Sequence, residues 1–203
     1  MTKTLSKKKF VFEQMQPVQV STVIVGSWNP RIFTPSWIKA NLFGLTDGQE
    51  IQGMVNFDEM DFGFQHQGVL LFARTNLVEV NFDGYDGKKA ELASSAIVRI
   101  LELLPQTPIK ALGVNIRYLL SKKDTSPLVT AINKTQCTFG EFQLNQIKQT
   151  SNKKNYQINI ISDILKDSIR ANFNFHYSKI APFEPNFINL HFEETQKILK
   201  NGN

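Results

Sequence analysis

Residues 109–133, IKALGVNIRYLLSKKDTSPLVTAIN, begin as a strand and end as a capped helix. Ile109 to Leu120 reads as an extended segment. Ser126 then stands directly before Pro127, a hydroxyl cap followed by a proline at the first helical position, which predicts a short helix through about Asn133. The same order occurs nearer the N-terminus. Val18 to Trp28 (VQVSTVIVGSW) is rich in β-branched residues and runs into the turn pair Asn29-Pro30, so it reads as a strand. Thr34 precedes Pro35, and Trp37, Ile38 and Leu42 follow at helical spacing, with Gly44 placed to end the helix. The two cap-proline pairs are 92 positions apart (34 to 126), and the opening strands are offset by about as much. An internal duplication is the simplest account.

The segments after each pair agree. Ile51–Phe57, Phe62–His66, Val69–Arg74 and Leu77–Phe82 read as antiparallel strands joined by hairpins. Lys88 to Leu104 then places Leu92, Ala96, Ile97, Ile100, Leu101 and Leu104 on one face of a long helix that Pro105 stops. In the second half, Thr138–Lys148, Asn155–Ile161 and Ser168–Tyr177 read as strands and Asn186–Lys200 as the closing helix. The expected fold class is α+β: two tandem β-α-β(3-4)-α repeats forming a shared antiparallel sheet, with the long helices on one face and the other face open. Residues 1–17 form a basic arm, 18–105 the first repeat and 106–203 the second, together one composite domain.

That duplicated order resembles the saddle-shaped fold of TATA-binding proteins. Val20-Ser-Thr-Val-Ile-Val-Gly26 is similar to that family's opening strand, and Val69-Leu-Leu-Phe72 followed by Leu77-Val78 is similar to its strand-turn-strand segment. The resemblance implies a curved sheet whose uncovered side meets a partner, with Phe72 at the position that wedges into DNA. The chain departs from the family at Arg74-Thr75-Asn76, where the family has a Ser-Gly-Lys turn, and the second half has no Leu-Ile-Phe counterpart. As an aromatic in an apolar strand, Phe72 is by itself expected in the core.

Composition narrows the class. With 203 residues and 41% hydrophobic residues the chain can bury a core without staples. One cysteine, Cys137, permits neither an intramolecular disulfide nor a thiolate metal site, which fits a reducing compartment and a cytoplasmic location. The apolar stretch after Lys7-Lys8-Lys9 is too short for a signal-peptide core, and no run reaches membrane-spanning length, so no membrane is expected. Residues 1–105 carry 10 Lys/Arg against 11 Asp/Glu and residues 106–203 carry 13 against 7, so the basic character lies in the second half.

No catalytic constellation is legible. His66, His176 and His191 stand in no metal-ligand spacing, and each reads as a structural or surface histidine. The glycines form no phosphate loop. Asp58-Glu59-Met60-Asp61 has the oxygen density a divalent cation wants, but it lies between two expected strands and a solvated hairpin turn is the better account of it, and Cys137 has no local base. No cofactor and no metal are expected.

Strand alternation assigns the faces. Arg170, Asn172, Asn174 and His176 point one way, opposite Ile169, Ala171, Phe173, Phe175 and Tyr177. Gln157 and Asn159, and Glu141, Gln143 and Asn145, fall on a matching polar side, with Lys148, Lys153, Lys154 and Lys166 at its edges. The first expectation is therefore a non-catalytic interaction protein that offers its open sheet face or an edge strand to a protein partner or to its own copy. The alternative is nucleic-acid binding through Lys148, Lys153, Lys154, Arg170, Asn172, Asn174 and His176. A third reading is an enzyme of unknown class with carboxylates near Asp58 and Asp61.

Overall fold

Alternating burial builds the sheet. In β1 (Gln19–Gly26), Val20, Thr22 and Ile24 are buried, while Gln19, Ser21 and Val23 between them are only half-buried. The computed structural model describes residues 15–46, 48–56, 61–135, 145–179 and 183–202. Among these, the strands are β1, β2 (Gln52–Asn56), β3 (Asp61–His66), β4 (Val69–Ala73), β5 (Leu77–Asp83), β6 (Ile109–Ser121), β7 (Gln146–Asn152), β8 (Gln157–Ile164) and β9 (Ser168–Tyr177). The helices are α1 (Pro35–Asn41), α2 (Gly87–Leu103), α3 (Pro127–Thr135) and α4 (Phe187–Asn201).

All nine strands join one antiparallel sheet in the order β2-β3-β4-β5-β1-β6-β9-β8-β7. The expected strands on either side of residue 105 are thus joined where β1 pairs with β6, Ser21 facing Asn115. The β3–β4 hairpin turns through Gln67 and Gly68, both with positive φ (48° and 76°), the two-residue geometry whose twist matches the flanking strands.

The helices begin where the cap residues require. Thr34 Oγ1 accepts from the Trp37 amide at 3.2 Å, and Ser126 Oγ from the Val129 amide at 3.4 Å. Asp86 caps α2 by accepting from the Lys88 and Lys89 amides. These bonds hold the Asp86 carboxyl below its usual range. Gly202, at φ 74°, closes α4 in the left-handed conformation. No helix of the described residues is long and apolar enough to cross a membrane.

The core lies between the helices and one face of the sheet. Ala90, Ala93, Ala96, Ile97 and Ile100 of α2 and Phe187, Ile188, Phe192 and Leu199 of α4 are buried with the inward residues of β1, β5, β6 and β9. Ser94 and the many alanines of α2 let α4 approach closely, and Ser94 Oγ accepts from the Ile188 amide. Tyr85, just before α2, stacks on Phe192 of α4 with ring centroids 3.5 Å apart and donates its hydroxyl to Asn189 Oδ1 at 2.8 Å. Fully burying side chains of this size is worth roughly 1.5–3 kcal/mol each, so these contacts are what fix the helical layer to the sheet.

Candidate functional site: the open face of the sheet

The side chains that alternate away from the core form the opposite face. Their register brings nine residues, one from each strand, into a single row across the sheet: Gln52, Gln65, Leu70, Asn81, Ser21, Asn115, Asn174, Asn159 and Thr150. Eight of the nine are polar. Neighbouring strands are roughly 4.8 Å apart, which is amide-to-amide hydrogen-bonding reach.

From β1 to β7 the row is bonded strand to strand. Asn115 Nδ2 donates to Ser21 Oγ at 3.4 Å, Asn174 Nδ2 to Asn115 Oδ1 at 2.9 Å, Asn159 Nδ2 to Asn174 Oδ1 at 3.4 Å, and Thr150 Oγ1 to Asn159 Oδ1 at 3.0 Å. Each amide uses its nitrogen toward one neighbour and its oxygen toward the other. The pattern orients the whole row in one sense and spares lone pairs and protons for a partner above it.

Charge on this face is balanced. Arg117, Lys148 and Arg170 point outward with Glu79, Asp83 and Asp163. Arg170 Nη1 lies 4.0 Å from Asp163 Oδ2 on the facing strand, and Arg117 Nη1 donates to Gln19 Oε1 at 2.9 Å. All three cations sit on strands β6 to β9, whereas Glu79 and Asp83 sit on β5.

The structure brings Arg170, Asn172, Asn174 and His176 onto one face, as alternation predicts, and Lys148, expected only at its edge, lies on that face as well. Lys153 stands elsewhere: its ammonium is 3.7 Å from Glu194 Oε1 on α4, on the helical side of the sheet. Lys154 lies in the β7–β8 hairpin, beyond the end of the face. Glu141 and Gln143 are outside the described residues, as are Cys137 and Asp58, Glu59 and Met60 of the acidic cluster. Among the described residues no group of three His, Cys, Asp or Glu side chains is arranged to hold a metal ion.

One expectation needs correction. Phe72 is not in the core; Leu71 takes that place, fully buried, and Phe72 lies half-buried on the open face, its ring over Gly63 of β3. The missing side chain at Gly63 makes the room for it. His191 is a structural histidine, in keeping with its sequence reading: it is buried inside the helical layer, its Nε2 bonded to the Tyr177 hydroxyl at 2.6 Å and its ring stacked on Phe175.

Beside His191, Glu194 accepts from the Tyr156 hydroxyl at 2.5 Å and faces His191 Nδ1 at 3.9 Å, ion-pair range but too long for a hydrogen bond. His191, Tyr156 and Lys153 together hold the Glu194 carboxyl below the usual carboxylate range against its burial. Burial, reinforced by Glu194, pushes the Tyr156 and Tyr177 hydroxyls up. This cluster ties the β7–β8 hairpin and β9 to α4.

Ser21, Asn81, Asn115, Arg117 and Thr150 were not singled out by sequence. The alternation of Gly113, Asn115 and Arg117 along β6 carried the signal, but the register that sets Ser21 beside Asn115 is a long-range fact.

The fold and the face together define a mixed α+β protein with one antiparallel sheet, helices on one side and a polar, laterally bonded surface on the other. No family model matches the chain, and no curated protein matches it. Among solved structures, a chain described as "Structure of crystal form III of TP0453" aligns over 87% of this chain and 76% of its own, at 9% identity and a TM-score of 0.25. A likeness at that level assigns neither fold nor function.

Proposed function

We propose that the chain is a non-catalytic, cytoplasmic interaction protein that presents the open face of its sheet to a protein partner. The observation that supports this reading is the bonded row from Ser21 to Thr150, a continuous band of amides and hydroxyls with balanced charge and, among the described residues, no helix over it. Such a band suits the mixed donors and acceptors of a polypeptide better than a uniformly anionic surface. The two halves are read as tandem repeats related about the β1–β6 junction, in the manner of the TATA-binding-protein likeness. Each runs strand, short cap-proline helix, strands and long helix.

Site-specific photo-cross-linking tests the reading. A photoreactive residue at Asn115 or Asn159 should give a discrete protein adduct in cells that make the protein, and one at the exposed Leu190 of α4 should not. Equal adducts from both sides, or none from the sheet, would remove the open face as the interface.

Nucleic-acid binding through strands β6 to β9 is the second reading, favoured by the placement of Arg117, Lys148 and Arg170 with Asn172, Asn174 and His176 on one face. Affinity for labelled DNA or RNA would then fall steeply with salt as counterions are released. An adduct at Asn159 that disappears on nuclease treatment would replace the first reading by this one.

A further inference from the structure

The strand ends beside the open face hold a second feature that the protein-partner reading leaves unused. Past Asn152 the β7–β8 hairpin and the residues following β9 enclose a cleft of about 690 Å³. Lys153, Lys154, Asn155 and Gln157 line it from the hairpin, and His176 and Lys179 from β9 and the residues after it. Its volume is within the range of small-ligand sites.

The lining carries three ammonium groups and no carboxylate. Only Lys153 is partly neutralised, by Glu194 at 3.7 Å from the helical side, and that pair anchors the hairpin. Among the described residues neither Lys154 nor Lys179 has a carboxylate at ion-pair distance. His176 faces Gln157 on one side and Gly113 on the other, so no side chain from β6 covers the imidazole. Gln157 is itself positioned, its Nε2 donating to Asn152 Oδ1 at 2.8 Å. The hairpin closes tightly, the Lys153 amide bonding the Tyr156 carbonyl at 2.9 Å.

Concentrated positive charge in a cleft raises the local concentration of anions. The donors are compact ammoniums, amides, an imidazole and the Ser178 hydroxyl, the Tyr156 hydroxyl being committed to Glu194, with no guanidinium fork among them. That set suits tetrahedral oxyanions, which lysine binds as a point charge, over planar carboxylates. We propose that this cleft binds a small ligand bearing adjacent phosphate groups, held between Lys154 and Lys179 over His176.

Calorimetric titration of the full chain with inorganic pyrophosphate at physiological salt tests this. A saturable one-to-one isotherm is expected, with citrate at equal ionic strength binding far more weakly. K154E/K179E should weaken pyrophosphate roughly tenfold or more, about 1.4 kcal/mol per tenfold. K122E/K123E, the same change of net charge in the turn after β6, should leave it unchanged. If charge reversal lowers the melting temperature, K154Q/K179Q should show the same ordering. No saturable binding, citrate binding as tightly, or equal losses in both double variants would overturn the site, as would binding of an oligonucleotide without any binding of pyrophosphate.

Discussion

Asn174 on β9 stands directly opposite Asn115 on β6 and donates its Nδ2 proton to the Asn115 Oδ1 at 2.9 Å, while its own Oδ1 accepts from Asn159 at 3.4 Å. Asn174→Ala removes both bonds at once. Because the row is half-buried, the lost bonds and the two orphaned amides should cost about 1–2 kcal/mol. Asn115→Ala likewise removes one bond of 2.9 Å and one of 3.4 Å, and should cost a similar amount, about 1–2 kcal/mol. In a double-mutant cycle by urea denaturation, the pair should be sub-additive by about 0.5 kcal/mol or more, the mark of residues sharing a network. Strict additivity would mean that the amides act independently and that the row is no network.

One amide on the same face behaves differently. Asn172 Oδ1 is shielded from solvent and has no hydrogen-bond partner, with Arg117 and Ile161 as its cross-strand neighbours. An unsatisfied buried acceptor costs roughly 1–3 kcal/mol, and a β-branched apolar residue suits a strand, so Asn172→Val should leave stability unchanged or raise it by up to about 1 kcal/mol. The midpoint of urea unfolding reads this directly. A clear loss would show that the amide makes bonds of value to the fold.

The contrast between Asn172 and Asn174 also marks how far sequence reasoning reached. Both were placed on the open face by alternation alone, because the period of two is a local property of the strand, and the cap-proline pairs marked α1 and α3 for the same local reason. Which residue each faces depends on register between β6 and β9, set by packing that no local window contains. The same limit hid Lys153. Its position in a turn suggested a free cation at the sheet edge, whereas the hairpin's lean toward α4, fixed by Tyr156 and Glu194, turns it to the helical side. Phe72 was misplaced because composition makes an apolar strand look buried on both faces. The decisive fact was a glycine on the neighbouring strand.

A Cβ at Gly63 would lie 2.5 Å from Phe72 Cε1, 2.7 Å from Cδ1 and 3.0 Å from the Leu71 carbonyl oxygen. Gly63→Ala must displace the ring, at a cost of about 1–3 kcal/mol in the range of overpacking. Adding Phe72→Ala removes the ring but leaves the carbonyl contact, so the double variant should be more stable than the sum of the two losses. Thermal melts of the four proteins decide it. If Phe72→Ala gives no relief, the strain lies in the backbone and the ring is free to move.

On the helical side of the sheet Tyr118 is fully buried, and its hydroxyl lies 2.7 Å from Thr195 Oγ1. Thr195 donates its only hydroxyl proton to the Phe192 carbonyl, so Tyr118 must be the donor to Thr195, while Gln196 Nε2 donates to the Tyr118 oxygen. Ionisation would strip Tyr118 of the proton it donates to Thr195 and bury a charge, and burial pushes the hydroxyl up to about 12 despite the two hydrogen bonds that lower it. The folded value therefore lies above the unfolded value of 10.0, so the contribution of the neutral tyrosine is intact below pH 10 and is lost as pH rises toward 12. Tyr118→Phe should cost about 1–2 kcal/mol at neutral pH, because Thr195 and Gln196 lose their partner. Between pH 10 and 12 the stability gap between the wild type and Tyr118→Phe should narrow, since only the wild type carries this ionisation. Tyr156 and Tyr177, also raised, contribute equally to both proteins and cancel in the difference. A gap that stays constant across that interval would show that Tyr118 ionises as readily folded as unfolded, and that the buried hydroxyl network does not hold its proton.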